Sequence, residues 1–139
     1  MKPEIIDYLK EQRVGVLAVE MPDGSPHAAT LHFAHSEEPL VLYFGTGIDS
    51  VKMKSFIDKS VVRASYVIGQ DENTMKTLQM DGVLEIINSD QREVFESVYL
   101  EKYPDRKERL LSPKSAALRF TPKWWRYSDM KQKIVLVSE

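Results

Sequence analysis

The sequence predicts a mainly β fold of the α+β kind, an antiparallel barrel with helices at its edges. Three observations lead there. His27 to Ala34 and Thr77 to Ile87 alternate with period 2, which is the strand signature. The polar link Ser36 to Pro39 joins two strands and is too short for a parallel crossover, which needs about a dozen residues or more. Gly82 stands in mid-strand, where a glycine marks a bulge or a close backbone approach and lets a sheet curl toward a barrel.

The elements follow in order. Pro3 to Gln12 reads as a short amphipathic helix, with Pro3 in its first turn and Ile5, Ile6 and Leu9 as its apolar stripe. Val14 to Glu20 is a strand of small and branched residues. Met21 to Pro26 carries Pro-Asp-Gly turn chemistry. His27, Ala29, Leu31 and Phe33 then share one strand face, and Ala28, Thr30, His32 and Ala34 the other. Leu40 to Phe44 is apolar on both faces and reads as a buried strand, adjacent and antiparallel to the His27 strand. Ser50 to Asp58 is a helix that Asp49 or Ser50 can cap. Val61 to Ile68 and Thr77 to Ile87 are strands with a polar turn between them. Asn88 to Asp90 caps a second helix, with Glu93 in the capping-box position and Val94, Phe95, Val98 and Tyr99 as its buried stripe. Tyr103-Pro104 ends it, and Asp105 to Leu111 is a charged helical turn. Ala116 to Phe120, Trp124 to Tyr127 and Ile134 to Val137 supply two or three strands.

Composition narrows the function. The 139 residues suggest one domain, 1–139, and 42% apolar with 29% charged is an ordinary globular balance. The net charge of −2 gives no bulk attraction to nucleic acid or an anionic membrane. Without cysteine there is no disulfide, thiolate metal site or cysteine nucleophile. The start of the chain carries acids and lacks a long apolar run, so it is not read as a signal peptide, and a cytoplasmic protein is expected. The three histidines, His27, His32 and His35, do not converge, and no metal site is expected. Trp124, Trp125 and Tyr127 suit either packing at the barrel mouth or stacking on a planar ligand. Lys123, Arg126, Lys131 and Lys133 read as a solvated face.

The chemistry centres on Gly45-Thr46-Gly47 and the segment after it. A helix start offers free N–H groups and partial positive charge; Thr46 and Ser50 add hydroxyls, and Lys52 and Lys54 add cations. Two readings stand, a phosphate-binding corner or a capped surface helix with ordinary lysines. The spacing matches neither a P-loop nor a dinucleotide fingerprint. No residue stands out as a catalytic acid, base or nucleophile.

Taken in order, Gly24 to Phe33, Leu42 to Thr46, Ser50-Val51-Lys52, Arg63 to Tyr66, Gln79 to Glu85 and Arg119 to Pro122 resemble the flavin-binding split-barrel proteins of the pyridoxamine 5′-phosphate oxidase-like family. The resemblance implies a homodimer of six-stranded antiparallel split barrels, with flavin mononucleotide (FMN) at each subunit interface. It implies backbone contacts to the isoalloxazine from Ala29, Thr30, Leu31 and His32. It places Gly45, Thr46, Ser50, Val51 and Lys52 near the ribityl chain and phosphate. Val51 stands where the family often has an arginine, with Lys54 as the available substitute. Thr77 falls near a flavin-binding glutamine of the true oxidases, and Ala29 at their flavin-contacting arginine. The C-terminal extension that carries the oxidases' substrate-binding Arg and His has no counterpart, so vitamin B6 oxidation is not expected. The implied activity is a flavin-dependent oxidoreductase with a nicotinamide or similar donor and an unknown small-molecule substrate. A non-enzymatic flavin or redox-sensing module, or a heme or deazaflavin binder, are the alternatives.

Overall fold

The computed structural model describes residues 2–139. In chain order it has α1 (Pro3–Glu11), β1 (Val14–Glu20), β2 (Pro26–His32), β3 (Ala34–Glu37), β4 (Leu40–Gly47), a 3-10 helix (Val51–Phe56), β5 (Val61–Ile68), β6 (Lys76–Ile86), α2 (Arg92–Lys102), α3 (Lys107–Leu110), β7 (Ser115–Asp129) and β8 (Ile134–Val137), with single 3-10 turns before α2 and α3. The strands form one antiparallel sheet in the order β2-β1-β5-β6-β7-β4-β3, and β8 pairs with β7. The mainly antiparallel barrel with flanking helices is therefore present. Among the described residues, no helix is long and apolar enough to cross a membrane.

The split in the barrel arises at Phe33. The sequence runs from His27 to Ala34 as if one strand, but β2 ends at His32 and β3 begins at Ala34. At Phe33 the backbone changes partners: its N–H donates to the carbonyl of Arg13 (3.0 Å), the residue opposite it in the β1–β2 register, but its carbonyl accepts from the Tyr103 hydroxyl (2.5 Å). A buried carbonyl held by a side-chain hydroxyl is satisfied without a further strand partner, and the ladder with β1 stops here. This corrects the expected pairing of the His27 and Leu40 strands. β2 pairs with β1, while β3 takes β4 as its antiparallel partner, with Ala34 opposite Tyr43 and Glu37 opposite Leu40. β2 and β3 thus lie at the two ends of the strand order but are joined by one residue. The sheet must curl, and β2 comes to pack on β4 without ladder bonds to it.

Gly82 behaves as its position suggests. The β6–β7 register slips between Asp81 and Gly82, with Asp81 opposite Trp124 and Gly82 opposite Pro122, leaving Lys123 as the extra residue. A Cβ at Gly82 would stand 2.1 Å from the Thr121 carbonyl oxygen, so only glycine fits. Because the bulge absorbs Pro122, the expected segments Ala116 to Phe120 and Trp124 to Tyr127 are one strand.

Two apolar clusters fill the molecule. The barrel cluster holds Ile5, Leu17, Phe33, Phe44, Tyr66 and Phe120, each at most 1% exposed. The helical cluster joins Tyr43 to Phe95, Tyr99, Tyr103 and Leu110. The α2 stripe is thus Phe95 and Tyr99 with Val98 partly buried, whereas Val94, expected inside, is 55% exposed. The predicted side-chain cap and capping box of α2 are absent; a 3-10 turn, Ser89–Gln91, leads in instead. Of the large apolar strand residues, Val41, Tyr43, Tyr66 and Leu84 are consumed by the chain's own cores. Val61 and Ile86 remain exposed.

Candidate functional site

The segment after β4 is not the α-helix expected over Ser50 to Asp58. It is a six-residue 3-10 helix, and Ser50 makes no side-chain cap bond. An anion here would depend less on a helix terminus than on side chains, and those are brought together. Lys52 Nζ donates to Thr46 Oγ1 (3.0 Å), and Thr46 Oγ1 donates to Ser50 Oγ (3.3 Å). The β4 strand carries Thr46 to the end of the barrel, and the tight 3-10 turn folds Ser50 and Lys52 back over it. The Ser55 hydroxyl donates to the Lys52 carbonyl (2.6 Å) and fixes that turn.

Lys52 is 7% exposed. Burial lowers its pKa from the ordinary lysine value. Among the described residues no carboxylate lies within 4.0 Å of its Nζ; the ion pairs of the chain are elsewhere, such as Arg119–Glu85 and Arg92–Glu96. An ammonium has three donors, and here Thr46 takes one. A walled-in cation with spare donors and no counter-charge fits an incoming oxyanion. The donor set, one lysine and two hydroxyls, fits the terminal phosphate of FMN.

The other predicted residues divide. Gly45 and Val51 flank the cluster, Val51 being 47% exposed. Lys54 is exposed and takes no part in its hydrogen bonds, so the arginine replaced by Val51 has no visible substitute. Ala29, Thr30, Leu31 and His32 lie on β2, against which the 3-10 helix packs. β2 is an edge strand, with one side paired to β1 and the other open. The Leu31 carbonyl accepts from the Tyr66 hydroxyl (2.6 Å), and His32 Nε2 lies 3.2 Å from Arg106 Nη2. Thr77 is not brought to the cluster. Its hydroxyl pairs with Ser128 (2.8 Å), while Thr46 is opposite Ala116, at the other end of β7. Of the aromatic residues near the end of the chain, Tyr127 is core, Trp125 packs against it, and Trp124 remains 36% exposed.

Sequence reasoning missed a group of cations on the helical side. Arg13 and Arg106 lie over the Tyr103 ring at 4.8 and 4.9 Å from its centroid, with His32 edge-on at 5.6 Å. Lys102 Nζ donates to the Leu9 and Gln12 carbonyls and lies 4.1 Å from the Phe33 centroid, closing the end of α1. Burial, with Arg13 beside it, lowers the Lys102 pKa to about 8. His32 is lowered by burial first and then by Arg106, Arg13, Arg109 and Lys102. The sequence signal was present as a charged run, Asp105 to Leu111, but its convergence with Arg13 depends on the tertiary fold.

The same architecture occurs in solved structures. A conserved hypothetical protein from Mycobacterium tuberculosis is 22% identical, with 95% of this chain and 87% of that chain covered and a TM-score of 0.73. A pyridoxamine 5′-phosphate oxidase-related, FMN binding protein from Nostoc punctiforme is 16% identical, covering 99% and 96%, at 0.70. A heme binding protein from Mycobacterium smegmatis is 14% identical at 0.77; the match covers 99% of this chain and 59% of that longer one. At these identities the likeness shows the fold. No protein of curated function matches. The family described as pyridoxamine 5′-phosphate oxidase matches residues 1–129, nearly the whole barrel. A split sheet opening at Phe33 and a match of that extent agree: this chain belongs to the pyridoxamine 5′-phosphate oxidase family.

Proposed function

We propose that this chain is an FMN-binding split-barrel protein and acts as a flavin-dependent oxidoreductase with a nicotinamide or similar electron donor. The observation that carries the reading is Lys52: buried, without a carboxylate, and held by Thr46 beside the open edge of β2. Bound flavin supplies the redox chemistry, and the protein supplies binding, orientation and shielding. Lys52, Thr46 and Ser50 hold the phosphate. The open edge of β2 between Ala29 and His32 offers the ring those backbone groups that neither β1 nor Tyr66 takes. A homodimer is part of this reading, and in it Thr77, which lies away from Lys52 in its own chain, would meet the flavin of the second copy. The outer face of the sheet supplies apolar area for it, in Val61, Val67 and Val137, each 38–50% exposed.

A heme binder is the second reading, favoured by the fold shared with the M. smegmatis heme binding protein. Flavin is preferred because Lys52 provides a compact oxyanion site, while His32 is engaged by Arg106 and His35 faces Glu37 at 3.6 Å. The visible spectrum of the purified protein, with mass spectrometry of the released small molecule, separates the two. A flavin spectrum and released FMN are expected; a heme Soret band contradicts the reading. NADH consumption with a panel of acceptors tests the enzyme against a non-catalytic flavin module. Sedimentation of the loaded protein as a monomer at micromolar concentration contradicts the dimer.

A further inference from the structure

β4 separates two environments. Its side chains alternate, with Phe44 in the barrel cluster and Thr46 turned to Lys52, while Tyr43 joins the helical cluster. Gly45 shares the helical face, since a Cβ there would meet Leu110 at 3.2 Å and Tyr99 at 3.7 Å. Gly47 follows by alternation, and a Cβ there meets nothing within 4 Å. On this side, between β4, α3 and the start of β7, lies a cavity of about 250 Å³ lined by Gly47, Tyr99, Arg106, Arg109, Leu110 and Lys114.

We propose that this cavity is a second small-molecule site, for an organic anion: one carboxylate or phosphate ester on a small apolar body. Three cations line it and no acid does. None of the three lies within 4.0 Å of a carboxylate among the described residues; Asp105 and Glu108 line a neighbouring depression that shares Arg106 and Arg109 with the cavity. Arg106 is pre-set by stacking on Tyr103 and by His32, so its planar fork loses little freedom on binding an oxyanion. Tyr99 and Leu110 give an apolar wall, and the bare strand at Gly45 and Gly47 makes the room. The pKa of His32 is lowered first by burial and then by Arg106, Arg13, Arg109 and Lys102, of which Arg106 and Arg109 line the cavity. The volume lies below the ~300–1,000 Å³ of sites for drug-sized ligands, so a single-ring anion suits it and a whole flavin does not. Thr46, which accepts from Lys52, borders the cavity too, so the two sites adjoin across β4; this one takes its charge from Arg106, Arg109 and Lys114, whether or not flavin binds at Lys52.

The test is an amide-resolved NMR titration of the full chain with benzoate, phenyl phosphate, inorganic phosphate and, as a neutral control, benzyl alcohol. In wild type and in Lys52→Met alike, benzoate and phenyl phosphate should shift the amides of Gly47, Leu110 and Ser115, while any shift in the turn of Lys52 itself should vanish in Lys52→Met. Arg109→Ala should weaken both by about tenfold, the effect of one charge-assisted hydrogen bond. Gly47→Leu, which fills the cavity and keeps every charge, should abolish binding at an unchanged unfolding midpoint. Loss of the Gly47, Leu110 and Ser115 shifts in Lys52→Met, full binding by Gly47→Leu, or benzyl alcohol as tight as benzoate would overturn the assignment. Inorganic phosphate as tight as phenyl phosphate at these amides would overturn its apolar half.

Discussion

The two faces of β4 handle positive charge in opposite ways. On the barrel face a single cation, Lys52, is 7% exposed and tied to Thr46 in a three-residue cluster. On the helical face Arg106, Arg109 and Lys114 border an open cavity, and water can reach them. Charge in water is screened and costs little to keep; charge walled in by apolar neighbours must be compensated or it lowers stability. The barrel face therefore stores an unmet electrostatic demand that a phosphate would satisfy, whereas the helical face offers a field without a comparable penalty. One strand serves both because its alternation sends Phe44 and Thr46 one way and Tyr43, Gly45 and Gly47 the other.

That contrast can be broken by mutation. The largest effect belongs to Phe44→Ala, which empties a fully buried position in the barrel cluster and should lower stability by about 3–5 kcal/mol in denaturant unfolding. On the helical face, Gly45→Val forces a side chain against Leu110 and Tyr99 and should cost about 1–3 kcal/mol. Gly47→Ala, two residues on, meets nothing and should leave stability the same or raise it by less than about 1 kcal/mol. An equal loss at Gly45 and Gly47 would mean that the cavity closes in solution. The smallest effect sharpens the electrostatic half. Lys52→Met should stabilise the ligand-free chain by on the order of 1 kcal/mol near neutral pH, because it removes an uncompensated buried charge. The pH dependence has a fixed sign. Burial holds Lys52 below 10.5 in the folded chain, so the unfolded chain binds that proton more tightly. Wild-type stability, measured against Lys52→Met, should rise with pH between the lowered folded value and 10.5. A flat difference would mean that Lys52 is solvated.

Local pattern made much of this legible. The period-2 strands, the turn at Asp23-Gly24-Ser25 and the bulge at Gly82 appear where the residues place them, with Gly24 at φ +86° and Asp23 accepting from Ser25. Thr46, Ser50 and Lys52 lie within seven residues, so their meeting depends on one tight turn. What pattern could not supply was competition from afar. The break at Phe33 depends on Tyr103, distant in sequence, whose hydroxyl is held by the Phe33 and Arg13 carbonyls. Val94 lies outside and Tyr103 inside because the helical cluster, not the helix alone, chooses the buried face. The continuous β7 was hidden because Pro122 ends most strands and is admitted here by the bulge. Arg106 and Arg109 read as ordinary surface charge until Gly47 is placed opposite them.

The central claim is that Lys52 holds a phosphate, and the direct test is a paired titration. FMN and riboflavin differ by that phosphate alone. Both are titrated at fixed salt into wild type, Lys52→Ala and Lys59→Ala, the last an exposed lysine paired with Glu20 at 3.4 Å. A hydrogen bond to a charged group contributes roughly 1.5–3 kcal/mol, so Lys52→Ala should weaken FMN by about 10- to 150-fold. Riboflavin should bind all three proteins alike, and Lys59→Ala should match wild type with both ligands. Equal loss of FMN and riboflavin in Lys52→Ala, or no loss of either, would contradict the claim.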